Sequence, residues 1–425
     1  MRVLFVTNHS VGRKRAGPAI RCVELAKVLA QHFDVTLAAT QSADIEIAGV
    51  QIISETLAHP SRLRAAAGRS DIVITQGRVL ATFSFLRRAA KFLVVDLYDP
   101  YLLEYLLSPH PQFPRWGYLR QRHDLNLQLL RGDYFLSANE RQRDYWLGRL
   151  CALGRLTPRE CRRDPSFKSL VGVVPFGISA TPPSHTQTVM KGIIPGIARS
   201  DFVLIWAGGL WQWLDPMTVI RAVALVSEER SDIKLLFLGT QDPNPDKRVM
   251  PIRSEAGELA QNLNVLNRSV FFKEGWVPFD ERQNYLLEAD VGISAHPDSF
   301  ETRLSFRTRV LDYVWAGLPM ILTEGDCLAD WATRQYVATT LRPGDVAGWK
   351  QAILSMASSP ETRQEMRNRL QRLAPQFHWE RIAGPLLDYC RQPYHTDRAS
   401  DFRGKLVPFL TAGFEGFRRF RSWWP

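Results

Sequence analysis

Two trains of short apolar runs, alternating with stretches of helical spacing, limit what this chain can become. In the first train the runs are Arg2–Thr7, Asp34–Ala39, Ile72–Thr75, Phe92–Val95, Tyr134–Ser137 and Val171–Val174. In the second they are Phe202–Ala207, Ile233–Leu238, Val270–Phe272, Val291–Ala295 and Met320–Thr323. Such runs are too short for buried helices, and their near-continuous apolarity is that of strands covered on both faces. Between them, Ala19, Ile20, Val23, Leu25, Ala26, Val28 and Leu29 keep helical spacing after Gly17-Pro18, a proline admissible in a first turn. Further helices are expected from about Asn139, with Ser137 and Glu140 as a capping box, and over Pro216–Val226, Ile252–Leu263, Phe279–Leu287 and Arg307–Ala316. Strands alternating with helices imply parallel sheets. The stretch Ile178–Ile197, rich in Pro, Thr, Ser and Gly, separates the trains and reads as a linker. The expected architecture is therefore α/β, with two Rossmann-like domains facing a central cleft. Its divisions are residues 1–178, a linker at 179–198, a second domain at 199–375, a helix at 376–398 crossing back to the first domain, and a basic aromatic tail at 399–425.

Composition narrows the class. A chain of 425 residues suits two domains of ordinary size, and 45% hydrophobic with 23% charged residues describes a soluble globular protein. Five scattered cysteines form neither a C-x-x-C pair nor a disulfide framework, which points to a reducing, cytoplasmic setting. Met1–Thr7 is too short for a signal peptide, and the longest apolar candidate, Phe202–Leu214, is broken by Gly208-Gly209 and Gln212. The formal net charge of +11 favours anionic partners. Without zinc spacing, an RNP-like motif or a long basic block, nucleic acid is not the expected one. The nine histidines show no metal spacing, so no metal is expected.

The densest chemistry lies in residues 299–319. There an apolar run ends at Ala295, a loop follows, and arginines gather where the next helix opens. In an open α/β sheet, ligands bind in the crevice outside the carboxyl ends of the strands. Helix N-terminal N–H groups favour anions there, and Arg307 with Arg309 would add a charged fork suited to a diphosphate. Asp312, one turn on, is placed to accept hydrogen bonds from ribose hydroxyls. Gly317-Leu318-Pro319 ends the helix. A nucleoside-diphosphate site is the reading these residues support.

The run Arg309-Val310-Leu311-Asp312-Tyr313-Val314-Trp315-Ala316-Gly317-Leu318-Pro319 resembles the "K-x-x-E-Y-x-A-x-G-x-P" signature of family 4 glycosyltransferases, enzymes of the GT-B fold. Arg309 stands where that family has lysine, and Asp312 where it has its second glutamate. Glu301 resembles the first acid of the family's E-x7-E pair, three residues too far upstream. The resemblance extends to about Tyr389. It implies a retaining sugar transfer without an obligatory protein nucleophile, cofactor or metal, from a nucleotide-sugar donor to a glycan or lipid-linked acceptor. Under it Arg309 and Arg307 hold the diphosphate, with Arg303 nearby, Asp312 the ribose, and Glu301 the donor-sugar hydroxyls. Gly208-Gly209 match the family's glycine loop over the phosphates, but Trp211 and Trp213 stand where its Arg and Lys are usual. Gly275-Trp276-Val277 resembles the turn bordering the base, with Trp276 stacking or offering backbone.

Other positions keep two readings. Gly12 and Gly17 flank the first strand-to-helix turn, either bringing backbone close to the ligands or forming a simple turn. Asp96 and Asp99 sit at a strand end, as acceptor-orienting groups, with Asp99 a candidate base, or as turn formers before Pro100. His296 is a cleft residue or a hydrogen-bonded loop histidine. Trp211 and Trp213 are core or ligand stack. In the tail, Phe409, Leu410, Phe417, Phe420, Trp423 and Trp424 fall on one side of an ideal helix with arginines opposite. That pattern suits peripheral attachment of residues 402–425 to an anionic membrane surface, or docking onto the protein itself. An epimerase or phosphorylase on the same fold and a non-catalytic nucleotide-sugar-binding protein are the rival functions.

Overall fold

The computed structural model describes residues 1–89, 92–108, 114–239 and 250–397. The tail expected to bind a membrane lies outside the described residues. Seven strands form the first sheet: β1 Arg2–Thr7, β2 Asp34–Ala39, β3 Val50–Ile53, β4 Ile72–Gln76, β5 Phe92–Asp96, β6 Tyr134–Ser137 and β7 Val171–Val173. Six form the second: β8 Phe202–Ala207, β9 Ile233–Leu238, β10 Val270–Phe272, β11 Val291–Ser294, β12 Met320–Thr323 and β13 Ala338–Leu341. Their orders are β3-β2-β1-β4-β5-β6-β7 and β10-β9-β8-β11-β12-β13. Every pairing within them is parallel. In each sheet the order reverses beside the first strand, between β1 and β4 and between β8 and β11. Those are the two places where a crevice opens at the carboxyl ends.

Strand alternation feeds both faces of each sheet. In β1, Val3 and Phe5 pack with Leu25 and Leu29 of the helix Gly17–Ala30, whereas Leu4 and Val6 face Leu63 and Leu129. In β8, Leu204 and Trp206 meet the helix Pro216–Ser227, and Val203 and Ile205 face Val310 and Val314 of the helix Thr308–Ala316. Two strands escaped the sequence pattern, β3 and β13. Both lie at sheet edges and are half-buried, so neither needs the continuous apolar run that betrays a central strand.

The linker is held as well as extended. Glu288 accepts from the backbone N–H groups of Val189, Met190 and Lys191 at 2.8–2.9 Å, and Met190 and Ile197 are buried. Beyond residue 377 the chain returns to the first domain. Ile178 bridges His378, Tyr389 stacks on Tyr134 at 4.4 Å, and Arg155 donates to the Asp397 carbonyl at 2.7 Å. Among the described residues no helix is long and apolar enough to cross a membrane.

Candidate active site

On the second-domain side, β8 runs into Gly208, whose φ of +121° only glycine adopts without strain. Gly209 is equally confined, because a Cβ there would lie 2.9 Å from the Trp211 indole. The helix Thr308–Ala316 is pinned against this turn by Tyr313. Its hydroxyl sits between the carbonyls of Ile205 and Ile293 (3.0 and 2.8 Å) and accepts from Ala207 N–H (3.0 Å). Gly292 leaves room for the ring. The αL conformation of Gly317 (φ +63°) then terminates the helix.

Arg309 opens that helix and reaches back to the glycine turn. Its Nη2 donates to the Gly209 carbonyl at 2.9 Å, and the guanidinium lies 4.4 Å over the Trp206 ring. The residue is buried, and its Nη1 finds no hydrogen-bond partner among the described residues. Burial, with Arg307 adding to it, pulls its pKa down to about 10, so it stays cationic at neutral pH. A buried cation with an orphan N–H and, among the described residues, no carboxylate in contact has the chemistry to take an anion. Trp211 and Trp213 beside it stack on one another at 5.7 Å, half-buried against the edge of the second domain's core.

The two-arginine fork is not what the structure contains. Arg307 is turned to Glu301, with Nη1–Oε1 at 3.1 Å and Nη2–Oε2 at 2.7 Å, both residues buried. The pair neutralises Glu301 while leaving lone pairs on both oxygens for hydroxyl donors. Arg303 is exposed on the short helix Phe300–Leu304, where its N–H donates to the Ser299 carbonyl and its own carbonyl accepts from Arg141. Asp312 gives Oδ1 to Arg282 Nε at 3.2 Å and keeps 29% side-chain exposure. Arg282 in turn lies 3.6 Å over Phe279 and 4.8 Å over Trp315. Trp276 bridges the two domains. Its Nε1 donates to the Arg15 carbonyl at 3.2 Å and its ring borders Gly239. His296 is the hydrogen-bonded loop histidine, buried against Asp326 at 3.1 Å. Burial would raise the Asp326 carboxyl, but His296, the Arg307 charge and the Ala329 N–H together hold the group below its ordinary value.

The first domain closes the other wall. Asp96 is not available to an acceptor: Arg21 grips it through Nε (2.8 Å) and Nη2 (3.0 Å), both side chains fully buried. Asp99, three residues on, is half-buried and shares a hydrogen bond with Glu104 of the helix Tyr101–Leu107. Burial, and then the charges of Asp99 and Glu301, push Glu104 well above the usual carboxylate range. Glu104 therefore ties the acceptor-side acids electrostatically to Glu301 across the cleft. Gly17 sits opposite Thr308, the position of an added Cβ lying 4.0 Å from its hydroxyl, so the first turn of one domain faces the helix start of the other. Ser137 does not cap the following helix. Its hydroxyl donates to Gly172, and Asn139 caps instead, accepting from Gln142 N–H at 2.8 Å. That cap frees Asn139 Nδ2 and Gln142 Nε2 to reach the Leu304 carbonyl at 3.1 and 2.9 Å, while Arg141 donates to Gly325 and pairs with Asp330. With Phe279 N–H on the Arg13 carbonyl at 2.9 Å, the two domains are in direct contact at both ends of the cleft. Sequence reasoning passed over Arg15, Glu104, Arg141 and Arg282. Only Arg15, in an Arg- and Gly-bearing loop, left any local signal.

No protein-family model matches this sequence, and the search of curated proteins found no match. Solved structures do match over almost the whole chain. HepE from Anabaena in complex with UDP-glucose superposes with a TM-score of 0.65 at 15% identity, covering 92% of this chain and 99% of that one. Sucrose-phosphate synthase from Thermosynechococcus elongatus gives 0.63 at 14%, covering 92% and 98%. WaaG, a glycosyltransferase involved in lipopolysaccharide biosynthesis, gives 0.62 at 16%, covering 92% and 100%. The fold is GT-B. At such identities the likeness establishes the architecture, and the chemistry has to be argued from the GT-B cleft itself.

Proposed function

We propose that this chain is a retaining glycosyltransferase that moves a hexose from a nucleoside-diphosphate sugar to a glycan or lipid-linked acceptor, in the cytoplasm or peripherally at the cytoplasmic membrane, during assembly of cell-surface polysaccharide or glycolipid. The observation that carries the reading is Arg309, buried against the glycine turn with one N–H unpartnered among the described residues. Breaking a sugar–diphosphate bond places growing negative charge on the departing phosphate. Arg309 and the N-terminal amides of the helix Thr308–Ala316 meet that charge in a closed cleft, where such contacts strengthen most in the transition state. The Glu301–Arg307 pair offers acceptor oxygens to sugar hydroxyls. Asp312 stands one turn below for the ribose. Asp99 and Glu104 line the acceptor side, where Asp99 is the candidate base. The acceptor hydroxyl attacks on the face the diphosphate leaves.

HepE was crystallised with UDP-glucose and with UDP, which makes UDP-glucose the first donor to offer. Calorimetric titration with nucleoside diphosphates, followed by donor hydrolysis over a nucleotide-sugar panel, tests the reading. Binding and slow hydrolysis with the anomeric configuration kept support it. A folded protein that binds no nucleoside diphosphate sinks it, and inversion would remove the retaining mechanism alone.

A further inference from the structure

A five-residue helix is too short to hold itself, and the helix Phe300–Leu304, which carries Glu301, is one. Forming a single turn fixes several residues for very few hydrogen bonds, and the last carbonyls of any helix have no partner within it. Its start is secured inside the second domain, where the Ser299 hydroxyl accepts from Thr302 N–H at 3.1 Å and Thr302 Oγ1 donates to the Pro297 carbonyl at 3.0 Å. Its end is secured from the first domain. The Leu304 carbonyl accepts from Asn139 Nδ2 and Gln142 Nε2, and the Arg303 carbonyl from Arg141 Nη1 at 3.4 Å. The Ser305 carbonyl accepts from Asn139 Nδ2 at 3.4 Å and from the weaker Cys327 thiol donor at 3.4 Å. Tyr145 meets the Phe300 ring edge-on at 6.1 Å. The first-domain side chains all come from Asn139 and the helix it caps, Glu140–Ala152.

Both amides divide their two ends between the domains. Asn139 Oδ1 accepts from Gln142 N–H at 2.8 Å and Gln142 Oε1 from Ala138 N–H at 2.9 Å, so each oxygen serves its own helix start. Each nitrogen crosses to the Leu304 carbonyl, at 3.1 and 2.9 Å. A backbone donor at one end and a backbone carbonyl at the other leave one orientation for each amide. Asn139 and Gln142 are buried, as are Glu301, Thr302 and Ser305. A buried carbonyl that loses its donors bears the full cost of desolvation, which ties Leu304 to the first domain. In the chain Leu304 stands midway between Glu301 and Arg307, whose two bonds close over it.

We propose that Asn139 and Gln142 are positioning residues for the donor sugar. Without touching it, they fix Leu304 from the first domain and so set the Glu301–Arg307 pair that meets the sugar hydroxyls. The proposal rests on the role given above to that pair. Under the same reading the nucleoside diphosphate belongs to Arg309 and Asp312 on the next helix, Thr308–Ala316, and does not sense the two amides.

The test is a double variant of the full-length chain. Asn139→Ser keeps a capping oxygen but is too short to reach Leu304, and Gln142→Glu keeps the bond from Ala138 N–H while setting an oxygen against the Leu304 carbonyl. Asn139→Ser alone is the milder form should the pair fail to fold. Without nucleotide, amide hydrogen exchange at residues 300–306 is expected to quicken by roughly tenfold, while the helix Thr308–Ala316 keeps its rate. In calorimetric titration the ratio of UDP-glucose to UDP affinity should fall by about five- to tenfold, with UDP affinity itself unchanged. Unchanged exchange at 300–306 overturns the proposal. A merely structural bridge would weaken both ligands together or neither, and either result also overturns it. Wild-type protein that binds neither ligand is instead a failure of the functional reading, and there the exchange rates alone decide whether the first domain holds this segment.

Discussion

Arg21 and Arg309 are the same residue in nearly the same setting, and they do opposite things. Each is buried near the carboxyl ends of its domain's sheet, and each lies near an aromatic ring, Tyr98 at 5.0 Å and Trp206 at 4.4 Å. Arg21 is saturated: two bonds to Asp96 and a third to the Pro175 carbonyl at 2.7 Å use all three of its nitrogens. Arg309 has the Gly209 carbonyl and nothing else among the described residues, with no acid in contact. Burying a charge is costly unless it is paired and hydrogen-bonded. A fold that balances one such cation and leaves the other open among the described residues is the contrast on which the proposed role of Arg309 rests. Burial alone would not have told them apart.

The sharpest way to break that contrast is to remove the saturated member. Arg21→Ala leaves the Asp96 carboxylate buried without its counter-charge, and urea unfolding should show a loss of about 3–5 kcal/mol. A loss below about 1 kcal/mol would mean that Arg21 is not the structural partner. The open member should behave in the reverse sense. Arg309→Ala should lower turnover by roughly a hundredfold or more while the melting temperature stays level or rises, since an uncompensated buried charge is gone. Turnover within a few-fold of wild type, in folded protein, would end its assignment to the leaving group. Titration gives a second view of the same group. Because Arg309 has its pKa lowered to about 10, donor affinity should fall as pH rises through that value.

Smaller effects sharpen the surroundings. Asp312→Asn should weaken donor binding by about three- to tenfold, and the penalty should vanish for a 2′,3′-dideoxy donor. Equal weakening of both donors would make Asp312 a support for Arg282 rather than a ribose ligand. The least change is expected from Glu104→Gln. A carboxyl raised by folding is protonated in both states at low pH, then costs stability as the unfolded chain ionises above about 4.5. The glutamine variant should therefore match wild type near pH 4 and melt higher at pH 8, and a lower melt at pH 8 would contradict the raised carboxyl.

Much of this was legible before any coordinates. Seven strands, among them β1, β8 and β12, have the bounds that their apolar runs set, because strands buried on both faces must be apolar at every position. The half-buried edges β3 and β13 carried no such mark. The helix read over Arg307–Ala316 runs Thr308–Ala316, one residue shorter at its start, and its close at Gly317 was plain, since αL glycines act within a few residues. The placing of Arg309 at the start of that helix followed from the same local logic.

What lay outside local logic was decided by packing. Whether Arg307 faces a diphosphate or Glu301, whether Asp96 is open or gripped by Arg21 from 75 residues away, and that Trp276 donates to Arg15 from 261 residues away all depend on which segments meet. Sequence periodicity determined the two sheets, their helices and the position of the helix that Arg309 opens, because hydrophobic burial and backbone hydrogen bonding repeat at fixed spacings along the chain. Tertiary structure alone decided which charges are neutralised and which are left open, because a charge's partner is chosen by distance in space, and that distance has no period in the sequence.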